Sequence, residues 1–235
     1  MNEQGLLVIA PHPDDESLGA GGTIARCTAA GLPVTILTVA AHMPPLYSEA
    51  VHQQTVAEAR KAHATLGVSD SRFLDIPAVY VAERPVPELN GAIMAVVQEV
   101  RPAAVLCCYP DRHVDHRAIF DAAMVATRPV GVGTDIKLVA AFETLSETHW
   151  NAPHIEPNFT PNWVVDITAT LEQKIEALAC YESQITPFPG PRSLDAVRAL
   201  AQFRGTQAGF ACGEGFHVIR MTAPAAPLVE ALRGG

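Results

Sequence analysis

Hydrophobic residues along the chain form short, nearly continuous runs that are separated by amphipathic stretches. Runs of this kind are typical of strands that are covered on both faces of a sheet. The four strongest are Leu6–Ala10, Val34–Ala40, Ala103–Tyr109 and Lys137–Glu143. Three weaker strand candidates are SRFLDI, WVVDI and FHVIRM, at residues 71–76, 163–167 and 216–221.

Between these runs, apolar residues recur at helical spacing. The pattern predicts helices over Glu49–Gly67, Val86–Arg101 and Leu171–Gln184. Pro87 suits the first turn of the second of these helices, and Gly67 suits the end of the first. The alternation of strands and helices predicts an α/β fold, with a mostly parallel sheet and helices on both faces.

The length of 235 residues suits one domain that spans residues 1–235. We find neither an internal repeat nor a low-complexity linker. The stretch from Ser146 to Pro161 has no periodicity, and a loop of that length in a compact domain is often functional.

Composition narrows the expected partners. Lys plus Arg number 16 against 25 for Asp plus Glu, so the net charge of −9 disfavours nucleic-acid binding. No run approaches the roughly 18 apolar residues that a membrane span needs. The five cysteines are odd in number and lack a CxxC motif, so we expect reduced thiols and a cytoplasmic protein. The oligomeric state stays open, with a homo-oligomer among the options.

Two polar motifs directly follow core strands: PHPDDE at residues 11–16 and YPDRHVDHR at residues 109–117. In an open α/β sheet, ligands bind beyond the carboxyl ends of the strands, near the switch in strand order. Both loops are therefore expected to border one crevice. A divalent metal ion with an open coordination position would explain their concentration of charge. The residues concerned are His12, Asp14, Asp15, Asp111, His113, Asp115 and His116.

Spacing suggests how these residues divide the work. A catalytic metal site typically has three protein ligands and a water. His12 and Asp15 are three residues apart, so both can point into one pocket, and His116 is chosen as the third ligand. Asp14 is then left beside the water as the general base. Zinc is the expected ion, and iron(II) accepts the same ligands.

Two further roles remain for the second motif. His113 is expected to stabilise an oxyanion or to protonate the leaving group. Asp115 is expected to accept an imidazole N–H and to hold that ring in one tautomer.

Structural explanations also exist for single residues of the first motif. His12 could cap a strand end, and Asp14 or Asp15 could cap the following helix. These alternatives weaken when both motifs stand at strand ends. The glycines in SLGAGGTIA, residues 17–25, match neither a P-loop nor GxGxxG. We expect them to allow a tight turn and close helix packing.

PHPDDE followed by HVDH resembles the PIG-L/LmbE-like family of zinc-dependent N-deacetylases, which act on N-acetylglucosamine-containing and related amino-sugar conjugates. Later stretches such as FETLSETHW, KIEALACYESQ and GEGF resemble further blocks of that family. The resemblance implies a Rossmann-like parallel sheet. It places the family's ligands on the three residues chosen above, its base on Asp14 and its electrophilic histidine on His113.

The function implied by the resemblance is metal-assisted hydrolysis of an amino-sugar acetamide in a small conjugate, which releases acetate and a free amine. A protonated His113 is expected to help hold the oxyanion. Arg192, Arg204 and Glu214, from the later blocks, are the expected substrate contacts. Two alternatives stay open: a thiol-conjugate amidase or deacylase with the same centre, and a non-catalytic sugar- or nucleotide-binding protein.

Overall fold

A seven-stranded sheet organises the computed structural model, which describes residues 5–68, 70–152 and 155–223. The strands are β1 (Leu6–Ala10), β2 (Val34–Ala41), β3 (Asp70–Pro77), β4 (Ala104–Cys108), β5 (Leu138–Phe142), β6 (Trp163–Asp166) and β7 (Gly213–Met221). The α-helices are α1 (Asp15–Ala29), α2 (Glu49–Thr65), α3 (Val86–Val100), α4 (Val114–Ala126), α5 (Leu171–Ala179) and α6 (Leu194–Thr206).

The strand order is β3-β2-β1-β4-β5-β7-β6. Strands β1 to β5 are parallel, with Leu6 of β1 in register with Val34 of β2 and Ala104 of β4. β7 runs antiparallel to both of its neighbours, β5 and β6. The prediction of a mostly parallel sheet is therefore confirmed, and the antiparallel insertion of β7 is a feature that it did not contain.

Helices cover both faces of the sheet, as predicted. On one face, α1, α2, α5 and α6 pack through buried residues such as Ile24 and Val197. On the other face, α3 and α4 pack through Ile93 and Ile119. Among the described helices, none is long and apolar enough to cross a membrane.

Element boundaries follow the hydrophobic runs closely, with one helix shorter than expected. All seven strand candidates are strands, but α5 ends at Ala179 and not at Gln184. Beyond that point the backbone bonds tighten, since the Tyr181 amide donates to the Leu178 carbonyl three residues back. Tyr181 is fully buried there, and its side chain contacts Glu16 of α1.

The glycine-rich part of α1 lies against the sheet. A Cβ atom on Gly19 would come within 2.2 Å of the Phe142 ring, and one on Gly22 within 2.7 Å of Ile167. The expected close packing of this helix is confirmed. Its effect is to bring the start of α1 next to the carboxyl ends of the central strands.

Candidate metal centre

The two polar motifs meet at the switch in strand order, because β1 and β4 are neighbours from which the chain extends in opposite directions. The loop at residues 11–14 links β1 to α1, and the loop at residues 109–113 links β4 to α4. The ring centroid of His113 lies 4.6 Å from that of His12 and 5.0 Å from that of His116. The expected convergence of the loops is thus present in the fold.

His12 is held between two carboxylates. Its Nδ1 lies 3.3 Å from Asp15 Oδ2, and its Nε2 lies 3.0 Å from Asp115 Oδ2. The same oxygen of Asp115 accepts a hydrogen bond from the Val79 amide at 2.6 Å. Asp115 is therefore fixed in place and orients the ring so that Nδ1 faces Asp15.

His116 is oriented in the same way by Asp111. Its Nδ1 lies 3.0 Å from Asp111 Oδ1, and its Nε2 lies 3.3 Å from Asp15 Oδ2. Asp111 is buried, and it accepts further hydrogen bonds from the His113 amide at 3.0 Å and the Thr148 hydroxyl at 2.9 Å. Each of the two imidazoles thus has one nitrogen on a supporting carboxylate and the other directed toward Asp15.

The distances around Asp15 fit a tetrahedral metal ion. Ligand atoms about 2.0–2.1 Å from such an ion lie about 3.3–3.4 Å from one another. Both distances from Asp15 Oδ2, to His12 Nδ1 and to His116 Nε2, are 3.3 Å. His116 Nε2 and Asp15 Oδ1 are also buried without a hydrogen-bond partner in the described part of the chain. Buried polar atoms left in this state are costly, and a cation would satisfy them.

A second set of candidate ligands overlaps the first. One ring nitrogen from each of His12, His113 and His116 lies within 4.8 Å of the other two. His113 Nδ1 accepts a hydrogen bond from the Asp115 amide at 3.2 Å, so Nε2 is its available nitrogen. The two sets share His12 and His116, and they differ in whether Asp15 or His113 is the third member.

The local charges favour a cation at this point. Burial lowers the pKa of His116, but Asp15 and Asp111 outweigh burial and raise the pKa to about 10. Burial raises the pKa of Asp15, but His116 and His12 outweigh it and hold that pKa well below its usual range. Positive charge is therefore stabilised between the carboxylates, and a metal ion would supply it in place of a proton.

Asp14 lies beside these ligands in a strained backbone conformation. Its φ of 113° and ψ of −28° lie in the left-handed region, which side chains other than glycine rarely adopt. The side chain makes no capping bond to α1, so helix capping does not explain it. Both of its carboxylate oxygens are buried and lack hydrogen-bond partners among the described residues. Burial raises the pKa of Asp14 to about 7, although Arg192 acts in the opposite direction.

Arg192 is the one expected substrate contact that the fold brings to Asp14. Its Nε lies 3.4 Å from Asp14 Oδ2 and donates to Ser146 Oγ at 3.2 Å. Its side chain is 28% exposed, so part of the guanidinium stays accessible. The loop after β5, which contains Ser146, therefore borders the centre.

Arg204, the second expected substrate contact, has its hydrogen-bond partners inside the protein. Its Nε and Nη2 donate to the two carboxylate oxygens of Glu143 at 2.7 and 2.6 Å, and its Nη1 donates to Gln207 at 3.0 Å. Arg204 and Glu143 are both buried. The guanidinium is committed to this bidentate pair and supports the chain at the end of β5.

Glu214, the third expected substrate contact, also has its partners inside the protein. Its buried carboxylate accepts from the Gly22 and Thr23 amides at 2.8 Å each and pairs with Lys174 Nζ at 2.6 Å. Lys174 also donates to the Leu18 carbonyl at 2.8 Å. The pair fastens β7 and α5 to the middle of α1, which leaves no free oxygen for a substrate.

Three residues at the site received no role from sequence reasoning: Asp111, Thr148 and His42. Asp111 lies within the second motif, and its position before the two histidines was an available signal. His42 directly follows β2, whose carboxyl end reaches the same edge of the sheet as that of β1. Its ring stacks on that of His12 at 6.1 Å. Burial lowers the pKa of His42 to about 4, with His12 and Arg192 acting in the same direction.

The fold and the site together define a class of protein. Imidazole and carboxylate groups at the switch point of an α/β sheet, beside a buried carboxylate that lacks a hydrogen bond among the described residues, are typical of metal-dependent hydrolases. The model of the family described as PIG-L, GlcNAc-PI de-N-acetylase, matches residues 7–127, which is more than half of the chain. The protein therefore belongs to the PIG-L family of de-N-acetylases, which confirms the resemblance noted in the sequence.

Individual relatives extend over most of the chain. It is 28% identical to 1D-myo-inositol 2-acetamido-2-deoxy-alpha-D-glucopyranoside deacetylase of Rhodococcus jostii, over 86% of this chain and 89% of that protein. It is also 28% identical to a protein named probable N-acetyl-alpha-D-glucosaminyl L-malate deacetylase 2 of Bacillus anthracis, over 78% and 82%. The crystal structure of the conserved protein TT1542 from Thermus thermophilus is similar, with a TM-score of 0.76 and 28% identity over 94% and 97%.

Proposed function

We propose that this protein hydrolyses the N-acetyl group of a small amino-sugar conjugate and releases acetate and a free amine. The observation that carries the proposal is Asp14, a buried carboxylate that has no hydrogen-bond partner within the described chain and adjoins a candidate metal ligand. The relatives named as deacetylases of N-acetylglucosamine conjugates support the same chemistry. All seven strands of the described residues belong to one sheet, which supports a single deacetylase domain.

The metal ligands in this proposal are His12, Asp15 and His116, with zinc as the ion and iron(II) as the alternative. An ion held by these residues would lower the pKa of water to about 7 and would polarise a carbonyl group. The protein holds the ligand atoms in place through Asp115, which orients His12, and through Asp111, which orients His116.

Asp14 acts as the general base. A carboxyl group with a pKa near 7 both accepts and releases a proton at neutral pH, which is the property that this task requires. Its oxygens accept the proton of the attacking water. The same carboxyl group then donates this proton to the amine nitrogen as the C–N bond breaks.

In this proposal His113 stabilises the oxyanion as a neutral donor, in place of the protonated ring that the sequence suggested. Burial, together with His12 and His116, lowers the pKa of His113 to about 4. Because its Nδ1 accepts the Asp115 amide, the ring proton lies on Nε2. That N–H donates to the carbonyl oxygen as negative charge develops, a contribution of about 3–4 kcal/mol.

Arg192 is the remaining substrate contact in the proposal. Its partly exposed guanidinium lies beside Asp14 and suits a hydroxyl or anionic group of the sugar conjugate. A non-catalytic sugar-binding protein is less well supported, because a binder has no use for a base at this position. Four buried cysteine thiols support the expected cytoplasmic location.

Acetate release from a panel of N-acetylhexosamine conjugates tests the proposal. The zinc-loaded protein should release acetate, a chelator should stop the release, and added zinc should restore it. The same sugars with longer acyl chains test the deacylase alternative, which predicts faster release of the longer acids. If zinc-loaded protein releases no acid from any conjugate, the hydrolase assignment is wrong.

A further inference from the structure

One imidazole at the site lies outside both sets of candidate metal ligands. His42 begins the loop between β2 and α2, and its ring stacks on that of His12 with centroids 6.1 Å apart and planes 7° apart. Its Nδ1 is buried and has no hydrogen-bond partner among the residues described. His42 is also absent from the cluster of three imidazoles whose nitrogens approach one another. A metal ion shared with that cluster therefore does not account for the nitrogen.

The same loop carries an aromatic ring that continues the row of imidazoles. Tyr47 lies against His42 with ring centroids 4.7 Å apart, and it is 40% exposed. Its neighbour Leu46 is 54% exposed. From His12 outward, the site thus offers a metal ligand, then a polar nitrogen without a partner, then an accessible aromatic face.

We propose that His42 and Tyr47 form the subsite for the hexosamine ring, with His42 Nδ1 bonding a sugar hydroxyl and the Tyr47 ring packing on the sugar face. This inference rests on the proposed function, because it takes the acetamide to lie at the metal ligands. Ligand sites combine an apolar or aromatic surface with a few polar groups that fix orientation. The loop provides a polar group in His42 and an aromatic surface in Tyr47. The His42 ring lies 6.1 Å from that of His12, and the Tyr47 ring lies 4.7 Å from that of His42.

The subsite selects for substrate class. An acetamide without a ring would reach the metal ligands but would leave Nδ1 of His42 unpaired and the face of Tyr47 uncovered. Sites built to bond a hydroxyl discriminate strongly against ligands that lack it. We therefore expect His42 and Tyr47 to favour acetamides whose ring carries a free hydroxyl near the amide over simple N-acetyl amines.

The two products test the two halves of the site separately. Calorimetry on the zinc-loaded protein would measure the Kd of acetate, which probes the metal end, and of methyl glucosaminide, which probes the sugar subsite. In His42→Phe, loss of one hydrogen bond should weaken glucosaminide binding by about tenfold. Tyr47→Ala should weaken it by about fivefold. The Kd of acetate should change by less than about twofold in both.

Conservative variants serve as controls for folding and for specificity. His42→Gln keeps a group that bonds a hydroxyl, and Tyr47→Phe keeps the ring, so both should stay within about threefold of the parent protein. Zinc content and melting temperature should match the parent in all four variants. In the acetate-release assay, His42→Phe should raise KM for the hexosamine conjugate more than it lowers kcat.

Three results would overturn the subsite: unchanged glucosaminide affinity in His42→Phe, equal losses of acetate and glucosaminide affinity, or no glucosaminide binding by the parent protein. These outcomes are separable from failure of the proposed function. If the parent releases acetate from the sugar but His42→Phe binds glucosaminide normally, only the subsite is wrong. If glucosaminide binding depends on His42 but no acetate is released, only the hydrolysis is wrong.

Discussion

Buried charged residues at the middle and at the start of helix α1 differ in how their polar atoms are satisfied. At the middle of the helix, Glu214 receives two amides, a hydroxyl and the Lys174 ammonium group. At its start, Asp14 and Asp15 keep carboxylate oxygens that have no partner within the described ranges. Both groups combine burial with charge. Only the second has unused bonding capacity, and it is therefore the one suited to a ligand.

This comparison explains why two of the three expected substrate contacts have partners inside the protein. Glu214 and Arg204 are polar residues in family-like blocks, and sequence alone places them on a par with Arg192. In the fold, the first two are saturated by Lys174 and Glu143, whereas Arg192 keeps an accessible side and faces Asp14. Buried polar residues whose hydrogen bonds are all made form the structural frame of this protein, and those with unmade hydrogen bonds form its site. Residue type and burial alone do not distinguish the two.

The largest effect should come from replacing one of the proposed metal ligands. We expect His116→Ala to lose both the metal and all measurable acetate release, because two ligands rarely retain a catalytic ion. Metal analysis of the purified variant and the acetate assay would check this. His113→Ala is the matched control: it should keep the metal and lose about 10²–10³-fold in kcat. Metal loss in His113→Ala would favour the three-imidazole ligand set.

Asp14→Asn should separate catalysis from metal binding. Loss of a general base lowers turnover by about 10²–10⁴-fold, while the metal content should match that of the parent. Because Asn tolerates the left-handed backbone and carries no buried charge, the melting temperature should not fall. Calorimetric melting and kcat measured on one preparation give the answer. Near-normal turnover would remove Asp14 from the role of base.

Lys174→Met should have the opposite effect to Asp14→Asn, with lower stability and nearly unchanged turnover, because Lys174 belongs to the group whose hydrogen bonds are all made. Removal of one partner from a buried ion pair costs about 3–5 kcal/mol, so the free energy of unfolding should fall by that order. Denaturant titration measures the loss, and kcat per folded molecule should stay within a few-fold of the parent. The double variant Lys174→Met with Glu214→Gln should recover part of the stability. A selective loss of kcat without loss of stability would contradict the division into frame and site.

Arg192→Ala should have the smallest effect: a modest rise in KM, because Arg192 is a proposed substrate contact, and a shift in pH dependence. Burial raises the pKa of Asp14 to about 7, whereas Arg192 lowers it, and a bound cation acts in the same direction as Arg192. Activity needs the deprotonated base, so kcat/KM should rise with pH through a limb at or below pH 7. Without Arg192 the limb should move to higher pH. A profile measured from pH 5 to 9 would show this, with Arg192→Lys as the charge-conserving control.

Local patterns were sufficient to predict most of the fold. The strands from Leu6, Val34 and Leu138 are visible as apolar runs because each is covered on both faces. The placement of β7 between β5 and β6 was not predictable, because pairing partners far apart in sequence leave no periodic signal. The early end of α5 depends on Tyr181 reaching Glu16, 165 residues away in the chain.

The candidate site also has a part that the sequence predicts and a part that it does not. His12, Asp15 and His116 could be brought together on paper because parallel strands end at one edge of the sheet. The status of Glu214 could not be predicted, since its main-chain partner Gly22 is 192 residues away. The lack of a hydrogen-bond partner for His42 Nδ1 among the described residues could not be predicted either, because it depends on which residues the fold brings near that atom.

The position of β7 has a consequence for biosynthesis. Its neighbours β5 and β6 are both made earlier, yet in the described sheet the edge strand β6 pairs through β7. A nascent chain that still lacks residues 213–221 therefore leaves one edge of β5 free and gives β6 no strand to pair with, which favours aggregation. Since β7 also carries Glu214, the Lys174–Glu214 pair that holds α1 forms only once residues 213–221 have been made. Chains that terminate before residue 213 should accordingly be degraded by proteases and should not accumulate as partly folded protein.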